Sequence, residues 1–205
     1  RITKEINPKG ITVYTYDTLG RPQTETTTGK TTAENTNIVK TYTYNTNTKL
    51  PETITGTSNG KTFTYTTYYD NFYRITGKKE QTPDFEYSSS TTFDAFGKAD
   101  VVTISTKLNS PNYTSTSAIK NIYDANGILI QQNDNATNTM VWHVSNVNAQ
   151  GQTTQMEYGN GYTITNQYKP NDLSLWTIKH QNTTTGNVAL DLEYNYNVDQ
   201  GILNY

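Results

Sequence analysis

Histidine and carboxylate side chains are the residues of this sequence that could do acid–base chemistry. The two histidines, His143 and His180, lie one and four residues from a tryptophan, in strand-like stretches. Asp191 and Glu193 would share one face of a strand, because alternate residues point the same way. Hydrolysis needs a nucleophile beside a base, or two carboxylates in different environments. We therefore expect no catalytic residue and no enzyme. The histidines are interpreted as packing residues, with ligand binding as the alternative, and the two carboxylates as the solvated side of a strand.

Four aspartates in similar local sequences could instead bind calcium: Asp17, Asp70, Asp94 and Asp124. A calcium ion takes about six to eight oxygen ligands, commonly from several carboxylates in one loop. Each of these segments is too poor in carboxylates for that, so capping of a turn is the preferred interpretation. The absence of cysteine excludes disulfides and thiolate-bound zinc. We expect no metal and no cofactor.

The composition limits the class of protein. Of the 205 residues, 32% are hydrophobic, 17% are charged and 12% are aromatic, and 40 are threonines. Disordered chains are rich in charge and poor in aromatics, so this chain is folded, and its threonines and 17 tyrosines favour strands over helices. The net charge is −2, without a basic stripe, which argues against nucleic acid as a partner. No apolar run is long enough to span a membrane as a helix.

A short motif recurs along the chain at intervals that average about 26 residues, the length of a stacked supersecondary unit. Its full form is a tyrosine followed by aspartate, with glycine three residues after the aspartate, as in Tyr16-Asp17-Thr18-Leu19-Gly20-Arg21. Complete and decayed copies start at Tyr16, Tyr44, Tyr69, Phe93, Tyr123, Val147, Tyr168 and Tyr196.

The spacing within the motif is typical of a type I turn that closes a bulged hairpin, because Asp or Asn caps a backbone amide and glycine takes the left-handed conformation. We therefore predict positive φ at the motif glycines. The glycines are Gly20, Gly97, Gly127 and Gly151, and the capping residues are Asp17, Asp70, Asp94, Asp124 and Asn148. In the decayed copies, we place Thr48 and Tyr73 in the glycine position, and Gly201 arrives one residue late.

Alternation at period two before the turns predicts antiparallel strands. Tyr and Leu then lie on one face, and Thr, Asp, Glu or Asn on the other. We expect one continuous antiparallel sheet, with polar connections such as Thr26 to Lys30, and with the tyrosines paired in cross-strand ladders rather than exposed in rows. The strands predicted to belong to this sheet are Tyr14 to Tyr16, Tyr42 to Tyr44, Phe63 to Tyr69 and Leu190 to Tyr196.

The Tyr-Asp-x-x-Gly-Arg turn, the threonines after it and the Tyr-x-Tyr strand before it resemble the YD-repeat (Rhs-type) family, which includes bacterial Rhs proteins, toxin-complex shell subunits and teneurins. The resemblance extends from about residue 2 to residue 205. It implies an all-β fold of antiparallel hairpin repeats, in which a continuous sheet curves or spirals and forms part of a larger hollow shell. Such shells often house a toxin, and in teneurins they serve as an extracellular adhesion scaffold.

The sequence departs from the family in one feature. Rhs shells carry a C-terminal self-cleaving core with an Asp-Pro step, and none of the six prolines here follows an aspartate. We expect that core and any toxin to lie outside residues 1–205, which we interpret as a single YD-repeat segment cropped from a longer array at both ends.

The resulting prediction is a non-enzymatic segment of a shell wall, secreted or at the surface of a bacterium. Its partners would be the remaining repeats of the same polypeptide and an enclosed toxin or other cargo domain. The alternative is an extracellular adhesin or glycan-binding β-repeat module that uses exposed tyrosine and tryptophan, with a cell-surface protein or glycan as partner. A hydrolase embedded in a β-solenoid is a third, remote alternative, because its catalytic constellation is missing.

Overall fold

The computed structural model describes residues 1–30, 37–58, 60–196 and 203–204, the last pair by its backbone only. Every regular element in these ranges is a β-strand, and the chain divides into two compact units, Arg1–Ser117 and Ala118–Tyr205. Sixteen strands follow one another in one antiparallel sheet, in the same order as in the chain. The predicted all-β fold of antiparallel hairpins is confirmed. The interpretation of residues 1–205 as one cropped segment stays a prediction.

The first unit consists of short hairpins. Its strands are β1 (Lys4–Ile6), β2 (Gly10–Tyr16), β3 (Pro22–Gly29), β4 (Asn37–Tyr44), β5 (Pro51–Ser58), β6 (Lys61–Tyr69), β7 (Ile75–Gln81), β8 (Phe85–Phe93), β9 (Ala99–Asn109) and the beginning of β10 (Asn112–Tyr123). The motif turns connect β2 to β3, β4 to β5, β6 to β7 and β8 to β9, so they lie at one end of the strands.

The second unit repeats this plan. It contains the end of β10, then β11 (Leu129–Asp134), β12 (Met140–Val147), β13 (Thr153–Tyr158), β14 (Tyr162–Tyr168), β15 (Leu175–Asn182), β16 (Val188–Glu193), β17 (Asn195–Tyr196) and β18 (Leu203–Asn204). Strands β17 and β18 pair with each other in a separate sheet.

The strand register gives the first unit two chemically different faces. Cross-strand neighbours in one row are Tyr14, Glu25, Lys40, Gly56 and Phe63, and in a row on the opposite face Thr15, Thr24, Thr41, Thr55 and Thr64. We call these the tyrosine face and the threonine face. Tyr42 and Tyr44 are half-buried while Thr41 and Thr43 are exposed, so the alternation seen in the sequence separates the two faces.

Neither face is covered by a second layer among the described residues, and no hydrophobic side chain in those ranges is buried. The buried polar side chains are those of Thr12, Asn121 and Asn133. A sheet without a closed core depends on its backbone hydrogen bonds and on lateral contacts between many half-buried side chains. The low hydrophobic content of the sequence is consistent with this arrangement.

Two predicted element boundaries are wrong. Thr26 to Gly29, predicted as a connection, belongs to β3, because these residues pair in register with β2 and β4. Leu190 to Tyr196 is not one strand, since β16 ends at Glu193 and Tyr196 lies in β17, which pairs with Leu203 of β18. The late glycine, Gly201, lies outside the described residues.

Candidate functional site

The motif turns form one recurring structure. In each of five copies the residue in the aspartate position receives a backbone hydrogen bond from the residue three positions later and donates one to the carbonyl four positions later. For Asp17 these bonds are Gly20 N to Asp17 O and Asp17 N to Arg21 O, both 2.9 Å. The other copies begin at Asp70, Asp94, Asp124 and Asn148. This pattern is that of the bulged type I hairpin.

The side chain of the first turn residue caps the turn. Oδ1 of Asp17 accepts hydrogen bonds from the amides of Leu19 and Arg21, both at 2.9 Å. Oδ1 of Asn148 accepts the equivalent pair from Gln150 and Gln152, at 3.1 and 2.9 Å. Asp70, Asp94 and Asp124 make the same contacts. The described residues contain no group of three or more His, Cys, Asp or Glu side chains that would suit a metal ion.

Each of these turns places a left-handed residue just before its return strand. The values of φ are 79°, 81°, 82° and 76° at Gly20, Gly97, Gly127 and Gly151, as predicted, and 64° at Tyr73. Thr48 was assigned wrongly, because the left-handed residue of its turn is Lys49, with φ of 63°. That turn is one residue longer, since Lys49 N donates to Asn45 O, and the copy after Tyr168 is lengthened in the same way, with Leu173 left-handed.

In two copies the arginine that ends the motif pairs with its own aspartate. Arg21 Nε and Nη2 lie 2.7 and 2.6 Å from Oδ2 of Asp17, and Arg74 Nε lies 2.7 Å from Oδ2 of Asp70. The hydrogen bond from the Arg21 amide lowers the pKa of Asp17, burial opposes it, and the Arg21 guanidinium lowers it further. Burial would raise the pKa of Asp70, but the hydrogen bonds from Arg74 and Phe72 outweigh it and hold this pKa below its ordinary value.

The same arginines connect one turn to the next. The guanidinium carbon of Arg21 lies 3.9 Å from the ring centroid of Tyr44, and that of Arg74 lies 4.0 Å from the ring centroid of Phe93. Arg21 Nη1 also donates to Lys49 O at 3.1 Å. These are cation–π contacts supported by a hydrogen bond.

Hydrogen bonds from one motif turn to the next all end on the carbonyl of a left-handed residue, as at Lys49. Arg74 Nη1 donates to Gly97 O at 3.4 Å, and Gln152 Nε2 donates to Leu173 O at 2.9 Å. The carbonyl of the left-handed residue in one turn therefore accepts a hydrogen bond from the turn before it. We call this set of contacts the turn ladder, defined by the donors Arg21, Arg74 and Gln152 and their acceptors Lys49, Gly97 and Leu173.

The motif tyrosines add a second link to the preceding hairpin. The hydroxyl of Tyr44 donates to Pro22 O at 2.8 Å, that of Tyr69 to Pro51 O at 2.9 Å, and that of Tyr168 to Thr153 O at 2.9 Å. Tyr16 donates in the same manner to Ile2 O. Tyr123 ends β10 directly before its turn, and the ring of Tyr196 lies 5.2 Å from Lys169 Nζ.

Tyr42 and Tyr44 do not pair with other tyrosine rings across the strands, so the predicted tyrosine ladder is wrong for these two residues. Across the strand, Tyr42 faces Ile54 and Tyr44 faces Pro51. The Tyr42 hydroxyl and Lys40 Nζ both bind Glu25, each at 2.9 Å. Burial, followed by the hydrogen bond to Glu25, raises the pKa of Tyr42 to about 12. Burial would raise the pKa of Glu25 as well, but the bonds from Lys40 and Tyr42 lower it.

The candidate catalytic residues are spread over ordinary strand positions. His143 lies between Gln131 and Glu157 in the cross-strand register, and His180 lies between Ile164 and Leu190. Glu193 accepts a hydrogen bond from Trp176 Nε1 at 3.0 Å. Asp191 faces Lys179. The residues the structure describes include no helix of the length and apolar character needed to cross a membrane.

Sequence analysis missed a polar network in the second unit. Trp142 Nε1 donates to Gln132 Oε1 at 2.6 Å, and Gln132 Nε2 donates to Asn121 Oδ1 at 2.8 Å. These three side chains are cross-strand neighbours, and Asn121 is only 8% exposed. Buried amides need such partners. Apolar residues at alternate strand positions were the signal used to predict the strands. This network was missed because two of its three side chains are amides.

Solved structures of toxin complexes have the same fold. A chain of the Photorhabdus luminescens Tc holotoxin pore matches 98% of this chain with a TM-score of 0.54 and 17% identity. The crystal structures of TcdB2-TccC3-TEV and TcdB2-TccC3-Cdc42 each match 94%, with TM-scores of 0.51 and 0.50 and identities of 18% and 17%. In all three comparisons this chain spans 11% of the matched chain. No protein-family model and no curated protein matches it. The all-β fold of antiparallel hairpin repeats expected from the family resemblance is confirmed.

Proposed function

We propose that this chain is one continuous segment of the wall of a β-shell in a larger YD/Rhs-repeat protein, exported by a bacterium, and that the shell encloses a toxin or other cargo domain. The turn ladder carries the proposal. It joins three pairs of consecutive hairpins laterally, through side chains that the repeat itself supplies. Such a wall is extended by adding hairpins, and its partners are the remaining repeats of the same polypeptide.

The role proposed is steric, with no catalysis. The acidic groups of the motif are engaged in turn caps, and the two histidines lie in separate strand registers. The similarity to chains that are about nine times longer supports a part within a larger assembly.

The adhesin alternative requires the tyrosines of the Tyr-x-Tyr strands to be exposed in rows. Tyr42, Tyr44 and Tyr194 are half-buried, while Thr43 and Asn195 beside them are exposed. Half-burial of the tyrosines favours the wall over a binding surface made by these strands.

Electron cryo-microscopy of the full-length protein that contains this chain tests the proposal. The expected result is a hollow shell in which residues 1–205 form a strip of the wall, together with protection of the enclosed domain from added protease. Shells opened by mild denaturant provide the control, since their cargo should be digested. A solid fibre, or a domain on a stalk without a cavity, would contradict the proposal.

A second experiment addresses catalysis. The purified chain should hydrolyse ester, peptide and glycoside substrates no faster than a buffer control. If turnover is found, and if His143→Ala or His180→Ala abolishes it, the steric role is wrong.

A further inference from the structure

A groove with a volume of about 820 Å³ lies on the first unit, over the threonine face where β7 and β8 pair. Its lining includes Tyr68, Gly77, Lys79, Glu86, Ser88 and Ser90. Ligand clefts in proteins commonly have volumes of roughly 300–1,000 Å³. Arg74 of the turn ladder also contributes to the lining, so one end of the groove adjoins the ladder, while these six residues lie outside it.

Gly77 has no side chain, and this lets the ring of Tyr68 lie close to the backbone at the floor of the groove. Gly77 is the cross-strand neighbour of Tyr68 on one side and of Ser90 on the other. A Cβ atom at this position would lie 2.8 Å from Ser89 O and 3.4 Å from Cδ2 of Tyr68. The edge of the Tyr68 ring therefore leans over the bare backbone of Gly77, and 50% of this tyrosine stays exposed.

The polar groups of the groove suit hydroxyl groups better than an ion. Lys79 Nζ and Glu86 Oε2 lie 2.9 Å apart, and each side chain is about one-third exposed. An ammonium group has three donors and a carboxylate has about four acceptor positions, so both retain capacity for further hydrogen bonds. Ser88 and Ser90 add hydroxyls that donate or accept.

Four of the five charged side chains of the lining form ion pairs. Lys79 pairs with Glu86, and Asp70 pairs with Arg74 at 2.7 Å. The fifth is Lys78, which alternates with Gly77 and Lys79 along β7, so its side chain points to the opposite face from Lys79. An acidic or basic ligand would have to break these pairs before it gained a counter-ion. A neutral ligand that presents one apolar face and a rim of hydroxyls fits without doing so, and a pyranose ring has this chemistry.

We propose that the groove over β7 and β8 is a binding site for a neutral oligosaccharide. The Tyr68 ring is the platform against which the C–H face of one sugar ring packs. Lys79, Glu86 and the two serines bind its hydroxyl groups. This site does not depend on the wall function.

Calorimetric titration of the purified chain with cellohexaose, chitohexaose, maltohexaose and laminarihexaose tests the site. At least one of these should bind with a Kd on the order of 1 mM, as expected for a single open site. Tyr68→Ala and Tyr68→Leu should each weaken binding by about tenfold or more, and Glu86→Gln by about threefold. Tyr68→Leu keeps an apolar side chain over Gly77, so that a loss of binding is separated from a loss of folding.

Tyr113→Ala is the matched control. Tyr113 is 54% exposed and lies in β10, outside the groove. Its removal should leave the Kd within about twofold of the unmodified chain. The proposal is overturned if no neutral hexasaccharide binds at about 10 mM, if the Tyr68 and Tyr113 variants lose binding equally, or if hexagalacturonate binds more tightly than every neutral sugar.

Discussion

The first residue of each motif turn acts as a hydrogen-bond acceptor, and at Asp17 and Asp70 it also forms an ion pair. Asn148 makes the same two amide contacts as Asp17, and its Nδ2 donates to Oε1 of Gln152 at 2.8 Å, where Asp17 binds Arg21. The chain therefore contains a natural comparison between a capping amide and a capping carboxylate. It shows that an amide is sufficient for the turn.

This comparison predicts the effect of acid. The folded-state pKa values of Asp17 and Asp70 lie below the ordinary value of 3.8, so the unfolded chain takes up protons first as the pH falls. Their contribution to stability is present above that value and is lost as the pH falls through the folded-state pKa. The double variant Asp17→Asn, Asp70→Asn should therefore have a Tm that declines less steeply between about pH 5 and pH 2.

Thermal unfolding followed by circular dichroism across this pH range provides the measurement. The Asp17→Ala, Asp70→Ala variant is the control, because it loses the caps as well and should have a lower Tm at neutral pH than the asparagine variant. Identical acid dependence in the unmodified chain and the asparagine variant would show that these carboxylates do not govern acid stability.

Two glycines that flank β13, Gly151 before it and Gly159 after it, are needed for different reasons. Gly151 has φ of 76°, and no atom lies within 4 Å of a Cβ built there, so Gly151→Ala should cost only backbone strain, about 1 kcal/mol. Gly151→Asn should cost less, because asparagine tolerates this conformation, as Asn138 does at 58°. At Gly159 a Cβ would collide with Met140 O, so Gly159→Ala should be more destabilising than either change. Urea unfolding of the three variants ranks them, and equal costs would contradict this distinction.

At the level of single residues, the sequence was sufficient where the repeat is intact. A Tyr-Asp-x-x-Gly pattern determines the turn, because the cap and the left-handed glycine satisfy the backbone locally. It was insufficient at Lys49 and Leu173, where a non-glycine residue is left-handed in a longer turn. Nothing in the local sequence shows that extra residue.

Among the elements, the unit of organisation is the hairpin with its links to the next hairpin. Arg21 contributes to both, since it binds Asp17 within its own turn and packs on Tyr44 of the following one. The motif was recognised as a turn signal. Its arginine could not be assigned to a contact between hairpins, because about a repeat length separates it from the ring.

A double-mutant cycle measures that link. Arg21→Ala combined with Tyr44→Leu should give a coupling energy of about 0.5–1 kcal/mol, the usual value for an exposed cation–π pair. Tyr44→Phe should keep the coupling, because Phe93 serves Arg74 without a hydroxyl, and should cost about 1 kcal/mol for the lost bond to Pro22 O. Free energies of unfolding from urea titration provide the numbers. Strictly additive effects of Arg21→Ala and Tyr44→Leu would mean that the stacking contributes no stability.

The boundary at Thr26 to Gly29 was predicted wrongly because it depends on neighbouring strands and not on the local sequence. A run of threonines ending in glycine has the composition of a loop, but it pairs on both sides, Thr27 with Thr12 and with Ile38. Threonine suits a pleated strand that lies between two others, and only the neighbouring strands determine which role it takes.

In the molecule as a whole, the absence of buried hydrophobic side chains in the described ranges means that stability is distributed along the sheet. Tyr44→Ala should therefore speed amide hydrogen exchange in β3, β4 and β5, where its contacts lie, and leave the rates in β13 unchanged. Exchange followed by mass spectrometry of peptides tests this. A uniform rise in exchange over the whole chain would instead indicate one cooperative core.

The strand order coincides with the chain order, so each strand of the sheet is hydrogen-bonded only to the strands next to it in sequence. Under mechanical load, such a sheet is peeled from a chain end one hairpin at a time, and its hydrogen bonds break in series rather than together. Force spectroscopy should accordingly record many small extensions at low force within each unit. A sheet with this property can be dismantled from an end by a modest pull.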